Sequence, residues 1–198
     1  MPHLVPLLIR GINNLSDARY CAGMGADKLT FLLDPALPGH LDTKTVKELA
    51  GWIAGVELIG EFDTATSHEI NAIAADCLLD AVLLRSPRTA AELAGIAPPI
   101  YQELQLGAPL AEQILSATLQ GVVVELPANT DTFSMPELRA LADSYPVWIG
   151  PGLNPERARE LATEVLVAGL TFPSGDELKP GLRDFDQLEA VFEALETD

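Results

Sequence analysis

Eight short apolar runs alternate with amphipathic segments along this chain, and the alternation limits what it can fold into. Several of the runs lack a polar face, which is typical of parallel strands buried on both sides. The runs are Leu4 to Ile9, Lys28 to Leu33, Val56 to Phe62, Asp80 to Leu84, Ile100 to Leu106, Gly121 to Leu126, Val147 to Gly150 and Val165 to Phe172. The chain therefore reads as repeated strand–helix units.

The segments between the runs have helical spacing and helix start signals. Apolar residues recur at i, i+3, i+4 and i+7 in Val46, Leu49, Ala50 and Ile53, and again in Leu188, Val191, Phe192 and Leu195. A hydroxyl residue followed three positions later by glutamate predicts a capping box. Three pairs have this spacing: Thr66 with Glu69, Thr89 with Glu92, and Ser134 with Glu137. Asn154 before Pro155 predicts a further helix start.

Repeated strand–helix units fit either a closed (β/α)8 TIM barrel or an open doubly wound sheet. The count of eight favours the barrel. So does the turn after the first run, residues 10–14, which has a single glycine where an open sheet usually has a glycine-rich loop. The chain has 198 residues, near the lower limit of about 200 for this fold. We therefore expect one compact α/β domain over residues 1–198, with minimal loops.

The charge balance excludes several classes of partner. The chain has 12 Lys and Arg against 29 Asp and Glu, a formal net charge of −17, so nucleic acid and anionic membrane surfaces are not expected partners. No apolar run is long enough to cross a membrane, and the first ten residues lack the basic region of a secretory signal, so we expect a cytoplasmic protein.

Cys21 and Cys77 lack metal-ligand spacing and are expected to be buried thiols. Trp52 and Trp148 are expected to be packing residues.

In a barrel of this kind the functional site lies where the strands end and their following loops begin. Strand ends place Arg10, Glu61, Arg85 and Glu125 there. The loops after the seventh and eighth strands contain Gly150 and Gly152, and Ser174 and Gly175. Both loops read as small-residue segments leading toward helix starts, and they predict either a phosphate cradle or plain turns.

The charged residues at the strand ends allow two interpretations. Arg10 and Arg85 pair with Glu61, Glu103 and Glu125 in an ion-pair network that fills the top of the barrel, or an arginine holds a carboxylate or phosphate while Glu125 acts as acid or base. Which residues of the fifth strand point inward is left open, because Tyr101 and Glu103 have one parity and Ile100 and Gln102 the other.

Several motifs resemble those of the phosphoribosylanthranilate isomerase family of tryptophan biosynthesis. Residues 8–13, LIRGIN, correspond to the family's KICGIT, and Asp17-Ala18, Gly25-Ala26-Asp27 and Phe31 correspond to its DA…GAD…GF pattern. Residues 152–156, GLNPE, are similar to its GGLNPEN turn. Ser174-Gly175, Glu177, Pro180-Gly181 and Arg183-Asp184 are similar to its closing SSGVE…PG.KD segment. The resemblance implies a TIM barrel, no metal or redox cofactor and a small phosphorylated ligand.

The departures from the family pattern fall at its functional positions. The resemblance implies a cysteine base at the end of the first strand, where this chain has Arg10, and an aspartate acid at the end of the sixth, where it has Glu125. A guanidinium cannot accept a proton at physiological pH, so Glu61 is the nearest candidate base. The sequence predicts a diverged isomerase-like barrel that binds or isomerises a small anionic metabolite, either phosphorylated or not. A non-catalytic binding barrel and a retained isomerase with a substituted base are the alternatives, and monomer and homodimer both remain open.

Overall fold

The structure, a computed structural model, describes residues 3–105, 119–125, 135–164, 167–179 and 182–197. Eight parallel strands follow one another around a closed barrel, and the eighth pairs with the first. They are β1 (Leu7–Arg10), β2 (Lys28–Leu32), β3 (Glu57–Phe62), β4 (Ala81–Leu84), β5 (Ile100–Gln105), β6 (Gly121–Glu125), β7 (Val147–Ile149) and β8 (Gly169–Pro173). The predicted barrel is confirmed, and each strand overlaps the apolar run that predicted it.

Helices lie between the strands and cover the outside of the barrel. They are α1 (Leu15–Gly23), α2 (Thr43–Ala50), α3 (Ser67–Cys77), α4 (Ala90–Ala94), α5 (Met135–Ala142), α6 (Pro155–Glu164) and α7 (Asp186–Leu195). In the part of the chain that the structure describes, no helix is both long enough and apolar enough to cross a membrane.

The helix start signals read from the sequence are present wherever they can be checked. Thr66 and Thr89 each form a capping box at the start of α3 and α4. Asn154 accepts a hydrogen bond from the Arg157 backbone N–H at 2.8 Å, which caps α6. The remaining predicted capping box, Ser134 with Glu137, lies outside the described side chains.

Strand residues point alternately into the barrel and out toward the helices, as the two-residue period of a strand requires. The inward-facing apolar side chains form a cluster of their own: Leu8, Ile59, Ala81, Leu83, Tyr101, Val123 and Trp148. The outward-facing ones, such as Leu7 and Ile9, pack with the helices in a second cluster. Tyr101 thus settles the parity of the fifth strand, because Glu103 shares its inward face.

Two smaller expectations can also be checked against burial. Cys21 and Cys77 are buried and form no disulfide, as expected. Trp148 packs inside the barrel, but Trp52 is 70% exposed, so the packing role expected of Trp52 is wrong. Trp52 lies in the turn after α2, beyond the part of that helix that packs on the barrel.

The segment after β8 differs from the sequence-based expectation. We expected the loop through Asp176 and Glu177 to lead into a helix. Instead Asp176–Lys179 forms β9, which pairs antiparallel with β10 (Leu182–Asp184) before α7 begins. In the sequence Pro180 and Gly181 separate the two strands, and a Pro-Gly pair is a turn signal that could have indicated a hairpin.

Asp34, just after β2, organises the loop that follows β3. Its carboxylate is 2% exposed and accepts hydrogen bonds from the backbone N–H groups of Asp63, Thr64 and Ala65 at 2.8, 2.6 and 2.8 Å. A fourth comes from the Ala36 N–H at 2.9 Å. These backbone donors outweigh the effect of burial and hold the pKa of Asp34 below its ordinary value.

Replacing Asp34 by Asn should lower the free energy of unfolding by about 1–3 kcal/mol at neutral pH, because the ionised acceptor is lost. A carboxylate with a lowered pKa stabilises the fold above its ordinary pKa and loses that contribution as the pH falls. The difference between wild type and Asp34→Asn in urea unfolding should therefore shrink below about pH 4. Asp143→Asn, at an exposed aspartate, is the control. A difference that does not change with pH would contradict this assignment.

Candidate active site

Charged side chains collect inside the barrel at the carboxyl ends of the strands. Arg10 ends β1, Glu61 is near the end of β3, Glu103 lies in β5, Glu125 ends β6 and Arg85 directly follows β4. We call these five residues the mouth cluster. The structure thus brings together all the strand-end residues predicted for the site and adds Glu103, which the sequence offered only as a possible partner in an ion-pair network.

A two-pronged contact between Arg10 and Glu61 forms the centre of the mouth cluster. Arg10 Nε donates to Glu61 Oε1 at 2.9 Å, and Arg10 Nη2 donates to Glu61 Oε2 at 2.7 Å. Thr30 Oγ1 donates a third hydrogen bond to Glu61 Oε1 at 2.5 Å. Both charged residues are buried, at 8% and 1% exposure.

This pairing keeps both side chains charged. Burial works against the charge, but the adjacent Arg10 guanidinium and its hydrogen bonds hold the pKa of Glu61 below its usual range. The Glu61 carboxylate in turn raises the pKa of Arg10 despite the burial of the guanidinium. Arg10 therefore cannot accept a proton, and Glu61 is a weak proton acceptor.

Glu103 has a different environment within the same cluster. Its Oε2 forms an ion pair with Arg10 Nη2 at 2.7 Å, but this buried oxygen has no well-aligned hydrogen bond among the described residues. Burial, reinforced by the nearby charge of Glu125, raises the pKa of Glu103 above its ordinary value. Of the two buried carboxyls, Glu103 is therefore the one whose surroundings favour the protonated form.

Arg85 and Glu125 form the solvent-facing edge of the cluster. Arg85 Nε lies 3.6 Å from Glu61 Oε2 and 3.9 Å from Glu103 Oε2, and its side chain is 32% exposed. Glu125 is half-buried at the end of β6. These two residues are the ones that a molecule entering the mouth would meet first.

The two loops predicted to hold phosphate border a pocket of about 710 Å³ beside the mouth. Gly152 and Gly175 line it, together with Asn154 and Pro155 at the start of α6 and residues of the first turns of α7. Both glycines have positive φ, 101° and 97°, which a side chain would strain. The structure therefore brings Gly152 and Gly175 together at one cavity.

Gly150 and Ser174, the other two predicted binding residues, do not line that pocket. A Cβ on Gly150 would lie 2.0 Å from the Thr171 carbonyl oxygen, so β7 and β8 approach too closely there for any other residue. Ser174 is 2% exposed; its N–H donates to the Arg10 carbonyl at 3.0 Å and its hydroxyl to the Gly11 carbonyl at 3.2 Å. In this arrangement both residues hold strand ends together.

The chain is similar in sequence to several known proteins. No protein-family model matches the chain. The N-(5'-phosphoribosyl)anthranilate isomerase of Deinococcus radiodurans is 26% identical over 200 residues, 96% of this chain and 96% of the relative. That of Syntrophus aciditrophicus is 27% identical over 207 residues, 93% and 84% of the two chains.

Solved structures agree at the level of the fold. Phosphoribosylanthranilate isomerase from Thermotoga maritima matches with a TM-score of 0.82 at 20% identity, over 96% of this chain and 98% of the other. The enzyme from Thermus thermophilus matches with a TM-score of 0.80 at 20% identity over the same shares. The chain is thus similar to phosphoribosylanthranilate isomerases in sequence over nearly its whole length, and it shares their fold.

The family resemblance implies a cysteine base at the end of the first strand. Neither cysteine of this chain lies where it could replace that base. Cys21 lies in α1 and Cys77 ends α3, and both are buried in the outer layer with the helices. Burial raises the pKa of the Cys77 thiol, which disfavours a thiolate. The position that the family resemblance gives to the base holds Arg10, and its guanidinium is already bound to Glu61.

Replacing Arg10 by Met removes the cation from two buried carboxylates, and the free energy of unfolding should fall by about 3–5 kcal/mol. Adding Glu61→Leu should recover part of this loss, because the buried charge leaves with its partner. A double-mutant cycle by urea unfolding measures the coupling.

The matched control is Lys47→Met, which breaks an exposed pair in which Lys47 Nζ lies 2.8 Å from Asp76. An exposed pair should contribute roughly 0–1 kcal/mol. If the changes in the free energy of unfolding caused by Arg10→Met and Glu61→Leu simply add in the double variant, the two side chains do not stabilise each other.

Proposed function

We propose that this chain is a single-domain cytoplasmic barrel, diverged from phosphoribosylanthranilate isomerase, that binds a small phosphorylated metabolite and exchanges a proton with it at the mouth cluster. The observation that carries the proposal is Glu103, a buried carboxyl with a raised pKa beside the second carboxyl of Glu125. Its Oε2 is ion-paired with Arg10 but makes no hydrogen bond among the described residues. Two neighbouring carboxyl groups in unlike environments are typical of an acid–base site.

In this proposal carboxyl groups, and not the thiolate implied by the family resemblance, carry out the proton transfer. Arg10 stands at the base position and cannot take a proton. Glu61 is saturated by three hydrogen bonds and has a lowered pKa, so its role is to fix the guanidinium. Glu103 and Glu125 remain as the pair that can give and receive protons.

The phosphate end of the ligand is assigned to the pocket beside the mouth. Gly152 and Gly175 let the backbone approach an oxyanion closely, since neither carries a Cβ. Arg85, partly exposed at the edge of the cluster, supplies a guanidinium fork for an anionic group. Gly150 and Ser174 support this site by holding the strand ends together and do not touch the ligand in this proposal.

Retained phosphoribosylanthranilate isomerisation, a step of tryptophan biosynthesis, is the second candidate, favoured by relatives named for that activity over nearly the whole chain. A barrel that binds without catalysis is the third, favoured by the ion-paired Arg10 at the base position. The three differ in turnover and in binding, so one set of assays separates them.

The test combines a binding assay with a turnover assay. Reduced 1-(o-carboxyphenylamino)-1-deoxyribulose 5-phosphate, named as the ligand of one related structure (TM-score 0.78, 22% identity), and ribose 5-phosphate serve as calorimetric probes. We expect a phosphate ester to bind in competition with inorganic phosphate, and Gly152→Asp to weaken it roughly tenfold or more by adding a negative charge. Gly55→Asp, at an exposed glycine of positive φ at the opposite end of the barrel, should leave the affinity unchanged.

Turnover of phosphoribosylanthranilate is followed by its loss of fluorescence. We expect none above background, because the base position holds Arg10. Turnover that disappears in both Glu103→Gln and Glu125→Gln would replace the proposal by retained isomerase activity. Absence of competitive phosphate-ester binding would reject the ligand class.

The proton-exchange step needs its own readout. Once a bound phosphate ester is found, wash-in of solvent deuterium, detected by mass spectrometry, reports proton exchange. Glu103→Gln should reduce the exchange rate by about two orders of magnitude or more, in line with loss of a general acid or base. Binding without any exchange would leave the non-catalytic barrel as the function.

A further inference from the structure

Thr30 connects the mouth cluster to the turn that follows β1. Its side chain is fully buried and lies on the inward face of β2. Thr30 Oγ1 donates to Glu61 Oε1 at 2.5 Å and accepts the Gly11 backbone N–H at 3.0 Å. One hydroxyl therefore binds both the partner of Arg10 and the residue next to Arg10 in the chain.

The backbone around Arg10 is held from two sides. On one side the Ile12 N–H donates to the Thr30 carbonyl at 2.9 Å, next to the hydroxyl contact with Gly11. On the other side Ser174 donates its N–H to the Arg10 carbonyl and its hydroxyl to the Gly11 carbonyl. With the backbone fixed at both flanks, the direction of the Arg10 side chain depends on Glu61.

We infer that Thr30 is a positioning residue, which sets the direction of the Arg10 guanidinium by orienting Glu61 and by holding the turn at Gly11. The inference takes the mouth cluster as the ligand site and so rests on the proposed function. Thr30 does not meet the ligand in this inference, because its side chain is fully buried and its hydroxyl is already bonded to Glu61 and to the Gly11 N–H.

The chemistry of a hydroxyl explains why this position needs one. A hydroxyl can donate to a carboxylate and accept from an N–H at the same time. Valine has nearly the same shape but can do neither, so it would leave the Gly11 N–H and one lone pair of Glu61 without partners. Serine keeps both hydrogen bonds and loses only a methyl group.

The barrel contains a matched control for this residue. Thr171 is also fully buried on an inward-facing strand position, but its hydroxyl has no hydrogen-bond partner among the described residues. Replacing it by valine changes the same atoms in a similar environment and removes no hydrogen bond that the structure describes. Any general effect of exchanging a buried hydroxyl for a methyl group should therefore appear in both variants.

The experiment measures Arg10 directly and needs no ligand. The Nε–H of a buried arginine paired with a carboxylate is shielded from water, so its exchange with solvent can be followed by 15N NMR. We expect Thr30→Val and Thr30→Ala to accelerate exchange of the Arg10 Nε–H roughly tenfold or more, the change expected for about one lost hydrogen bond. Thr30→Ser and Thr171→Val should leave the exchange rate near that of wild type.

Each result bears on the inference. Unchanged protection in folded Thr30→Val or Thr30→Ala, or a failure of Thr30→Ser to restore it, would overturn the positioning role. Failure of both Thr30→Val and Thr30→Ala to fold would overturn it as well, since the hydroxyl would then determine the fold and not the direction of Arg10.

A ligand measurement separates this inference from the function on which it rests. If a phosphate ester binds wild type, Thr30→Val should weaken it by about tenfold, with Thr30→Ser restoring the affinity. Altered exchange at Arg10 in a protein that binds no phosphate ester would reject the proposed function and leave the positioning role intact.

Discussion

The ion pair between Arg10 and Glu61 is the interaction on which the arrangement of the other residues of the mouth cluster depends. A guanidinium inside a barrel must be neutralised and hydrogen-bonded, because unpaired burial of a charge is too costly for a domain of ordinary stability. Glu61 supplies the counter-charge, Thr30 completes the hydrogen bonding of Glu61, and Glu103 is left close to the cation without a hydrogen bond. Glu103 nevertheless keeps a raised pKa, because its burial outweighs the opposing effect of the Arg10 charge.

Much of the fold could be predicted from the sequence because it depends on local rules. Buried parallel strands read as apolar runs, and hydroxyl–glutamate spacing identified the starts of α3 and α4. The hairpin of β9 and β10 was missed because its two strands are short and have no apolar run of their own. Trp52 was misjudged because its residue type suggests packing, whereas the end of α2 leaves it exposed.

The site was harder to predict than the fold, since its properties depend on partners distant in the chain. Strand ends could be located, which brought Arg10, Glu61, Arg85 and Glu125 to one place. The pKa values of Glu61 and Glu103 are shifted in opposite directions because the two carboxyls differ in burial and in their contacts with one guanidinium, which a strand-end position does not reveal. The importance of Thr30 was equally hidden, although this residue stands before Phe31, where the GAD…GF pattern of the isomerases has a glycine.

The interdependence of Arg10 and Glu61 also limits how the chemistry of the mouth can be exchanged. A cysteine placed at position 10 alone would leave two buried carboxylates without their cation, and removing Glu61 alone would leave a buried guanidinium without its main partner. Either single substitution therefore gives a less stable protein. Positions 10 and 61 are tied to each other, so an exchange of the side chain at one of them has to be accompanied by a change at the other.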